Sequence, residues 1–212
     1  MIIYGFSLSP FVRKTLVFAA EKGLSVESKP KRPLKDDAEL VACSPFGLIP
    51  GFRDGDFTIS DSSAIVAYME AKKPDPVLIP TEAQARARTI WYDEFADTML
   101  SVIMTKVFIN RIGAQKFRGQ PGDQGAADAA ERDDLPPLLA YLEGVIPASG
   151  FLVGDKFTLA DISVASQFVN FAHAGVTIDA ARYPKVMRYT QAIHNRPSFA
   201  ALITQERAFL GS

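Results

Sequence analysis

The sequence predicts an α/β domain of order β-α-β-α-β-β-α over residues 1–76, followed by an all-α helical bundle over residues 84–212. Three observations carry this. Strand-type and helix-type apolar patterns alternate as far as Lys72. A linker containing Pro74, Pro76 and Pro80 follows. Beyond it the apolar patterns have helical spacing, starting with a long amphipathic one over residues 84–111.

Ile2-Ile3-Tyr4 is a short apolar run of strand type. The turn after it, GFSLSPFVR at residues 5–13, leads into Val12, Leu16, Val17 and Ala20 at helical spacing, closed by Lys22 and Gly23. Ser9 therefore stands at the N-cap and Pro10 at the first helical position, where its missing N–H costs nothing. A helix start gathers unpaired N–H donors and about half a positive charge, so Ser9 stands where an anion would sit. On this stretch alone the simpler account is that Ser9 only caps the helix.

Val26-Glu27-Ser28 reads as a second strand, parallel to the first after the helical crossover. Residues 29–35 are basic loop; residues 36–43 suit a short helix with Leu40 and Val41 inward. Cys43 reads as a small buried hydrophobe, with nothing electropositive near it in sequence to make it reactive. Pro45, Gly47, Pro50 and Gly51 mark a constrained turn. Pro50 lies where a strand should begin, and an X-Pro bond held cis there would offer the backbone of Ile49 to a ligand as an edge strand does. Asp54-Gly55-Asp56 signals a hairpin between strands at 50–53 and 57–59. Ser60-Asp61-Ser62-Ser63 opens a helix running to Lys72, a second anion-friendly helix start. Capping is again the simpler account.

In the second half, Trp91, Phe95, Met99, Val102, Ile103 and Val107 form one apolar side of the long pattern. Residues 113–125 are a glycine-rich bend, and residues 126–145 are helix, interrupted or restarted at Pro136-Pro137. Thr158 and Asp161 have the spacing of a capping box, with Phe157 stapled onto Ile162, ahead of an apolar helix through Val164, Phe168 and Phe171. Tyr183-Pro184 and Arg196-Pro197 open the last two helices.

A charge of −1 gives no electrostatic case for nucleic acid or an acidic membrane. No apolar run reaches the ~18 residues of a membrane span, and no secretory signal opens the chain. One cysteine excludes an internal disulfide and a cysteine-based metal cluster. The expectation is a cytoplasmic protein that binds no metal.

With these motifs in place, the chain resembles the glutathione S-transferase family over essentially its whole length. Pro45-x-Gly47-x-Ile49-Pro50 resembles the family's cis-proline loop, and Asp61-Ser62-Ser63-Ala64-Ile65 its acidic-Ser helix start. Residues 157–162 are similar to its capping-box and staple motif. The resemblance implies a thioredoxin-like first domain and a cytosolic, bacterial-like, serine-type transferase. Ser9, four residues before Arg13, aligns with the catalytic serine, although Ser7 stays open as the thiol contact. Ile49 and Pro50 would meet the cysteinyl part of glutathione. Asp61 would take the γ-glutamyl amine, and Ser62 with the helix N–H groups its carboxylate. The co-substrate would be a small hydrophobic electrophile in a pocket between the halves, for which Leu8, Phe11, Met104 and Phe108 are candidates. Conjugation, of the kind used in detoxification, or a related glutathione-dependent reduction or isomerisation would follow. The resemblance also implies a homodimer, with Phe46 or the Trp91-Tyr92 region as candidate interface. Ser9 is followed by Pro10-Phe11 as in plant-type and cysteine-type classes, the Ser-Ser-Cys signature of the maleylacetoacetate isomerase class is missing, and Asp61 replaces the commoner glutamate. The class is therefore open.

The chemistry agrees from below. A thiol of pKa about 8.5 is only a few per cent thiolate at neutral pH, and lowering it by two units needs roughly 2.7 kcal/mol. A helix dipole supplies ~0.3–1 kcal/mol and a hydroxyl hydrogen bond to an anion ~1.5–3 kcal/mol. Together they suffice, with Ser9 as donor to the nucleophile and not as a base. A serine hydrolase would need an activating base and a G-x-S-x-G elbow; both histidines, His173 and His194, lie in the helical half, where structural roles fit them. A thiol-disulfide oxidoreductase would need a cysteine at position 9 or 10. A non-catalytic binding or regulatory relative is the main rival, and the joint presence of Ser9, Ile49-Pro50 and Asp61-Ser62 argues against it.

Overall fold

The computed structural model describes residues 1–211, which form two compact units. The first contains the sheet, β1 (Ile2–Tyr4), β2 (Glu27–Lys29), β3 (Gly51–Asp54) and β4 (Phe57–Ser60), with α1 (Pro10–Glu21), α2 (Ala38–Val41) and α3 (Ser62–Lys72). Strand order is β2-β1-β3-β4, with β1 and β2 parallel and the other pairs antiparallel. The predicted β-α-β-α-β-β-α order holds. β2 starts one residue later than expected because the Glu27 N–H bonds to the Met1 carbonyl and sets the register there. β3 is shifted one residue along from the expected 50–53, since Asp54 pairs with Phe57 across a Gly55-Asp56 loop, and β4 runs one residue further than expected, since Ser60 pairs with Gly51. The short helix is only Ala38–Val41, capped by Asp37; Leu40 is buried and Val41 half-buried.

Register decides what the sheet can present. Tyr4 lies opposite both Lys29 and Gly51, and Gly51 opposite Ser60. The turns leaving β1, entering β3 and leaving β4 therefore share one end of the sheet. Ile3, Val12, Val17, Phe18, Phe52, Ile65, Val66 and Met69 form the core beneath them.

The second unit, Ala87–Arg196, is helical. One long helical run contains α4 (Ala83–Glu94), α5 (Ser101–Phe108) and α6 (Ala114–Arg118), joined by π-wound turns at Phe95–Leu100 and Ile109–Gly113. Then come α7 (Gln124–Ala129), a third π turn at Ala130–Asp134, α8 (Leu135–Val145), α9 (Leu159–His173) and α10 (Pro184–His194). Phe95, Ile103 and Val107 are buried as expected, but Trp91, Met99 and Val102 are exposed. The extra residue in each π turn rotates the apolar face away from the simple helical repeat. The expected bend at 113–125 is shorter, because residues 114–118 are helix and Gly119, at φ +63°, ends it. Pro136-Pro137 fall in the first turn of α8, directly after the third π turn.

The capping box of α9 is closed by Asp161, which accepts the Thr158 N–H on Oδ2 and the Leu152 N–H on Oδ1, both at 2.9 Å. Burial pushes its carboxyl up to about 6, against those two N–H donors, which favour the anion. Ile162 is buried, while the Phe157 ring lies against Phe151 and under the Arg196 guanidinium. His194 Nε2 meets the Ala165 carbonyl at 3.0 Å, a structural role.

The last helix, α11 (Pro197–Leu210), belongs by its contacts to the first unit and not with the rest of the 84–212 segment. Arg13 and Glu206, 193 residues apart, form a bidentate ion pair with both side chains out of solvent. Ser198 adds a hydrogen bond to Glu21 at 2.6 Å.

Candidate active site

Ser9 precedes α1 in extended conformation, φ −73° and ψ 123°. Its N–H donates to the Phe6 carbonyl and its own carbonyl accepts from the Arg13 N–H, both at 2.9 Å. Its hydroxyl makes no capping hydrogen bond. The account of Ser9 as a cap therefore fails, and a half-buried hydroxyl stands at a helix start with its donor unspent. Ser7 is also half-buried, and lies beside a cavity shared with Gly5 and Phe6. Gly5 sits at φ +149°, and a Cβ there would fall 2.5 Å from Val12 Cγ2 and 3.1 Å from the Ile49 Cβ. Only glycine lets the Ser9 turn close this tightly on the Ile49 loop. No spacing in the sequence singled Gly5 out.

The Ile49-Pro50 bond is cis, as the motif implied. Ile49 is half-buried, and among the described residues neither its N–H nor its C=O takes a hydrogen bond. Gly47 packs so closely on the Leu34 carbonyl that a Cβ would approach it to 2.7 Å. Beneath this loop Cys43 is buried with Tyr4 and Leu40. The expectation that nothing electropositive stands near it is corrected by Arg53, whose Nη2 reaches the thiol sulfur at 3.9 Å. Gly51 and Arg53 alternate onto the same face of β3, and that face covers Cys43. Burial still keeps the thiol from solvent.

Asp61 is the N-cap of α3, with Oδ1 accepting the N–H groups of Ser63 at 2.9 Å and Ala64 at 3.0 Å. The capping reading is thus correct, but it occupies one oxygen. Asp61 is exposed and holds φ +76°, a conformation that costs a non-glycine residue about 1–3 kcal/mol and clusters at functional sites. Ser62 is buried beside it. Lys14, buried on α1, donates through Nζ to the Ser63 hydroxyl at 3.1 Å, so the first turn of α3 has an ammonium behind it. Lys14 was not anticipated; an isolated basic residue in an apolar helix pattern does not say which element it reaches.

Sheet register thus gathers Ser9, Ile49-Pro50 and Asp61-Ser62 at one end of the first unit: an unspent hydroxyl, an unpaired peptide edge and two helix starts. Such an end can hold an extended, doubly charged peptide along the edge with a thiol at Ser9. Of the other candidates, Leu8 is buried and Phe11 half-exposed, while Met104 and Phe108 are buried residues of α5. Among the described residues no group of three His, Cys, Asp or Glu side chains is placed to hold a metal ion. No helix there is long and apolar enough to cross a membrane.

A sheet of this order, with a cis X-Pro bond entering its third strand, is a thioredoxin-like domain, here accompanied by a helical domain. The family model for the glutathione S-transferase N-terminal domain matches residues 3–77, and that for its C-terminal domain residues 109–206. The chain belongs to the glutathione S-transferase family. It is 27% identical to a glutathione S-transferase of Triticum aestivum, over 97% of this chain and 94% of that protein. It is 24% identical to a stringent starvation protein A homologue of Coxiella burnetii, over 99% of this chain and 94% of that protein. A solved glutathione S-transferase from Rhodospirillum rubrum superposes with a TM-score of 0.86 at 27% identity, covering 95% of this chain and 90% of that one.

Proposed function

We propose that the protein is a glutathione transferase that binds glutathione, stabilises its thiolate and directs it at a small hydrophobic electrophile. The carrying observation is the Ser9 hydroxyl, placed at a helix start and not used as a cap. In this reading Ser9 donates to the sulfur. The backbone of Ile49 pairs with the cysteinyl unit beside Pro50. The remaining oxygen of Asp61 takes the γ-glutamyl ammonium, and Ser62 with the first N–H groups of α3 takes its carboxylate. The Lys14 ammonium supports that last contact. Phe11, two residues beyond Ser9 and half-exposed, is the apolar neighbour offered to the electrophile. A twofold dimer in the cytoplasm belongs to the same proposal.

The relative named as a stringent starvation protein A homologue keeps a second reading in play, a non-catalytic binding or regulatory protein on the same fold. One panel separates the two: aryl halide, peroxide, isomerisation and dehalogenation substrates, each with and without glutathione, beside calorimetry with glutathione alone. Glutathione-dependent turnover of any substrate is the expected result. No turnover across the panel, with or without glutathione binding, selects the second reading and overturns the first.

A further inference from the structure

No bond at its own side chain fixes where the Ser9 hydroxyl points, so its aim depends on the backbone turn that carries it. That turn is anchored by two residues flanking Ser9, and both reach α11. Three positions before it, the Phe6 ring meets Phe209 edge-on, with centroids 4.7 Å apart. Four positions after it, Arg13 donates through Nε to Glu206 Oε1 at 3.1 Å and through Nη2 to Oε2 at 2.6 Å. Glu206 and Phe209 are three residues apart, on one face of the helix. The same two anchor residues carry the backbone bonds of Ser9, its N–H to Phe6 and its carbonyl from Arg13. Beside the Phe6–Phe209 contact lies a cavity of about 360 Å³ lined by Gly5, Phe6, Ser7, Leu202, Glu206 and Phe209.

We propose that Glu206, acting through Arg13, and Phe209, acting through Phe6, are positioning residues for Ser9, which makes the C-terminal helix part of the thiolate-activating apparatus. This rests on the reading of Ser9 as donor to the glutathione sulfur. A hydrogen bond to a thiolate is directional, and an ångström of misplacement at a reacting group costs activity heavily. The ion pair is the stronger anchor, since it is bidentate and desolvated. Among the other charged groups on α1, Lys14 donates to the Ser63 hydroxyl on α3, and Glu21, at the far end of the helix, accepts from Ser198.

The test replaces the pair from both sides, Arg13→Met with Glu206→Met, because an apolar substitute for a buried ion pair leaves no stranded charge and is often neutral for folding. The thiol pKa of bound glutathione is measured by ultraviolet difference titration in wild type and in this variant, each with and without Ser9→Ala, together with the KM for glutathione. The bound thiol pKa should rise by about one unit, Ser9→Ala should then add little, and KM should stay within about twofold. Ser198→Ala, which removes the α11 contact to Glu21 at the far end of α1, should leave the pKa unchanged. A folded double variant with the wild-type pKa and the full Ser9→Ala shift overturns the proposal. If the double variant does not fold, Phe209→Ala at its partly exposed position decides: a rise supports the proposal and no rise overturns it. A wild-type pKa that ignores Ser9→Ala overturns the Ser9 reading itself, and the positioning role with it.

Discussion

Asp61 Oδ1 accepts the backbone N–H of Ser63 at 2.9 Å, from a residue whose own φ is +76°. One carboxylate thus starts a helix and, through its other oxygen, faces solvent at the end of the sheet where the Ser9 and Ile49 turns meet. Capping and ligand capture are separable here.

Asp61→Asn keeps a carbonyl oxygen for the cap and tolerates positive φ, so stability should change by less than about 1 kcal/mol. It removes the charge facing the γ-glutamyl ammonium, and the KM for glutathione should rise about tenfold or more, as expected for a charge-assisted bond. Asp61→Ala should also lose about 1–3 kcal/mol of stability, through the cap and the strained φ. An unchanged KM in Asp61→Asn would confine Asp61 to capping.

Asp161→Ala leaves the buried N–H groups of Leu152 and Thr158 unpaired, and should cost about 2–4 kcal/mol in denaturant unfolding at pH 7. The glutathione affinity of the folded protein should hardly move. The carboxyl also titrates. Its folded pKa lies near 6, above the ordinary 3.8, so the fold favours the protonated form. That contribution is full below about pH 4 and is lost as pH rises through 6. The stability of wild type relative to Asp161→Asn should therefore fall between about pH 4 and 6 and level off above that, and a difference constant over that range would contradict the assignment.

Both apolar sites considered for assembly are exposed, Phe46 at 75% and Trp91 at 47%, whereas Tyr92 is buried. Sedimentation at micromolar concentration should show a dimer of the 23.1 kDa chain. Phe46→Glu and Trp91→Glu, tested separately, should identify the covered face by which one yields monomer. A wild-type monomer would contradict the proposed assembly.

The sheet order and site turns were legible because each rests on local chemistry: alternation for strands, Pro10 after Ser9, two prolines around Gly47, Asp61 ahead of an apolar helix. What escaped is non-local. Nothing near Arg13 in sequence points to Glu206, although three buried cations in or next to one apolar helix, Arg13, Lys14 and Lys22, were a sign that partners lay elsewhere. The ion pair ties the last helix to α1 in the first unit. The π turns carry no compositional mark, so the exposed side of the long helix was misread at Met99 and Val102, within and just after the first of them. The state of the Ser9 hydroxyl could not be read from residue type, since serine serves equally as cap and as donor.

The central claim is that Ser9 activates the glutathione thiol, and the pKa of enzyme-bound glutathione tests it most directly. Ultraviolet difference titration should be run on wild type, Ser7→Ala and Ser9→Ala. Loss of a hydrogen bond to the thiolate, worth ~1.5–3 kcal/mol, should raise the bound pKa by about one to two units in Ser9→Ala and move the pH-rate profile upward with it. Glutathione should still bind through Ile49, Asp61 and Ser62, and Ser7→Ala should leave the pKa where it is. A bound pKa unmoved by Ser9→Ala, or moved only by Ser7→Ala, would contradict the account.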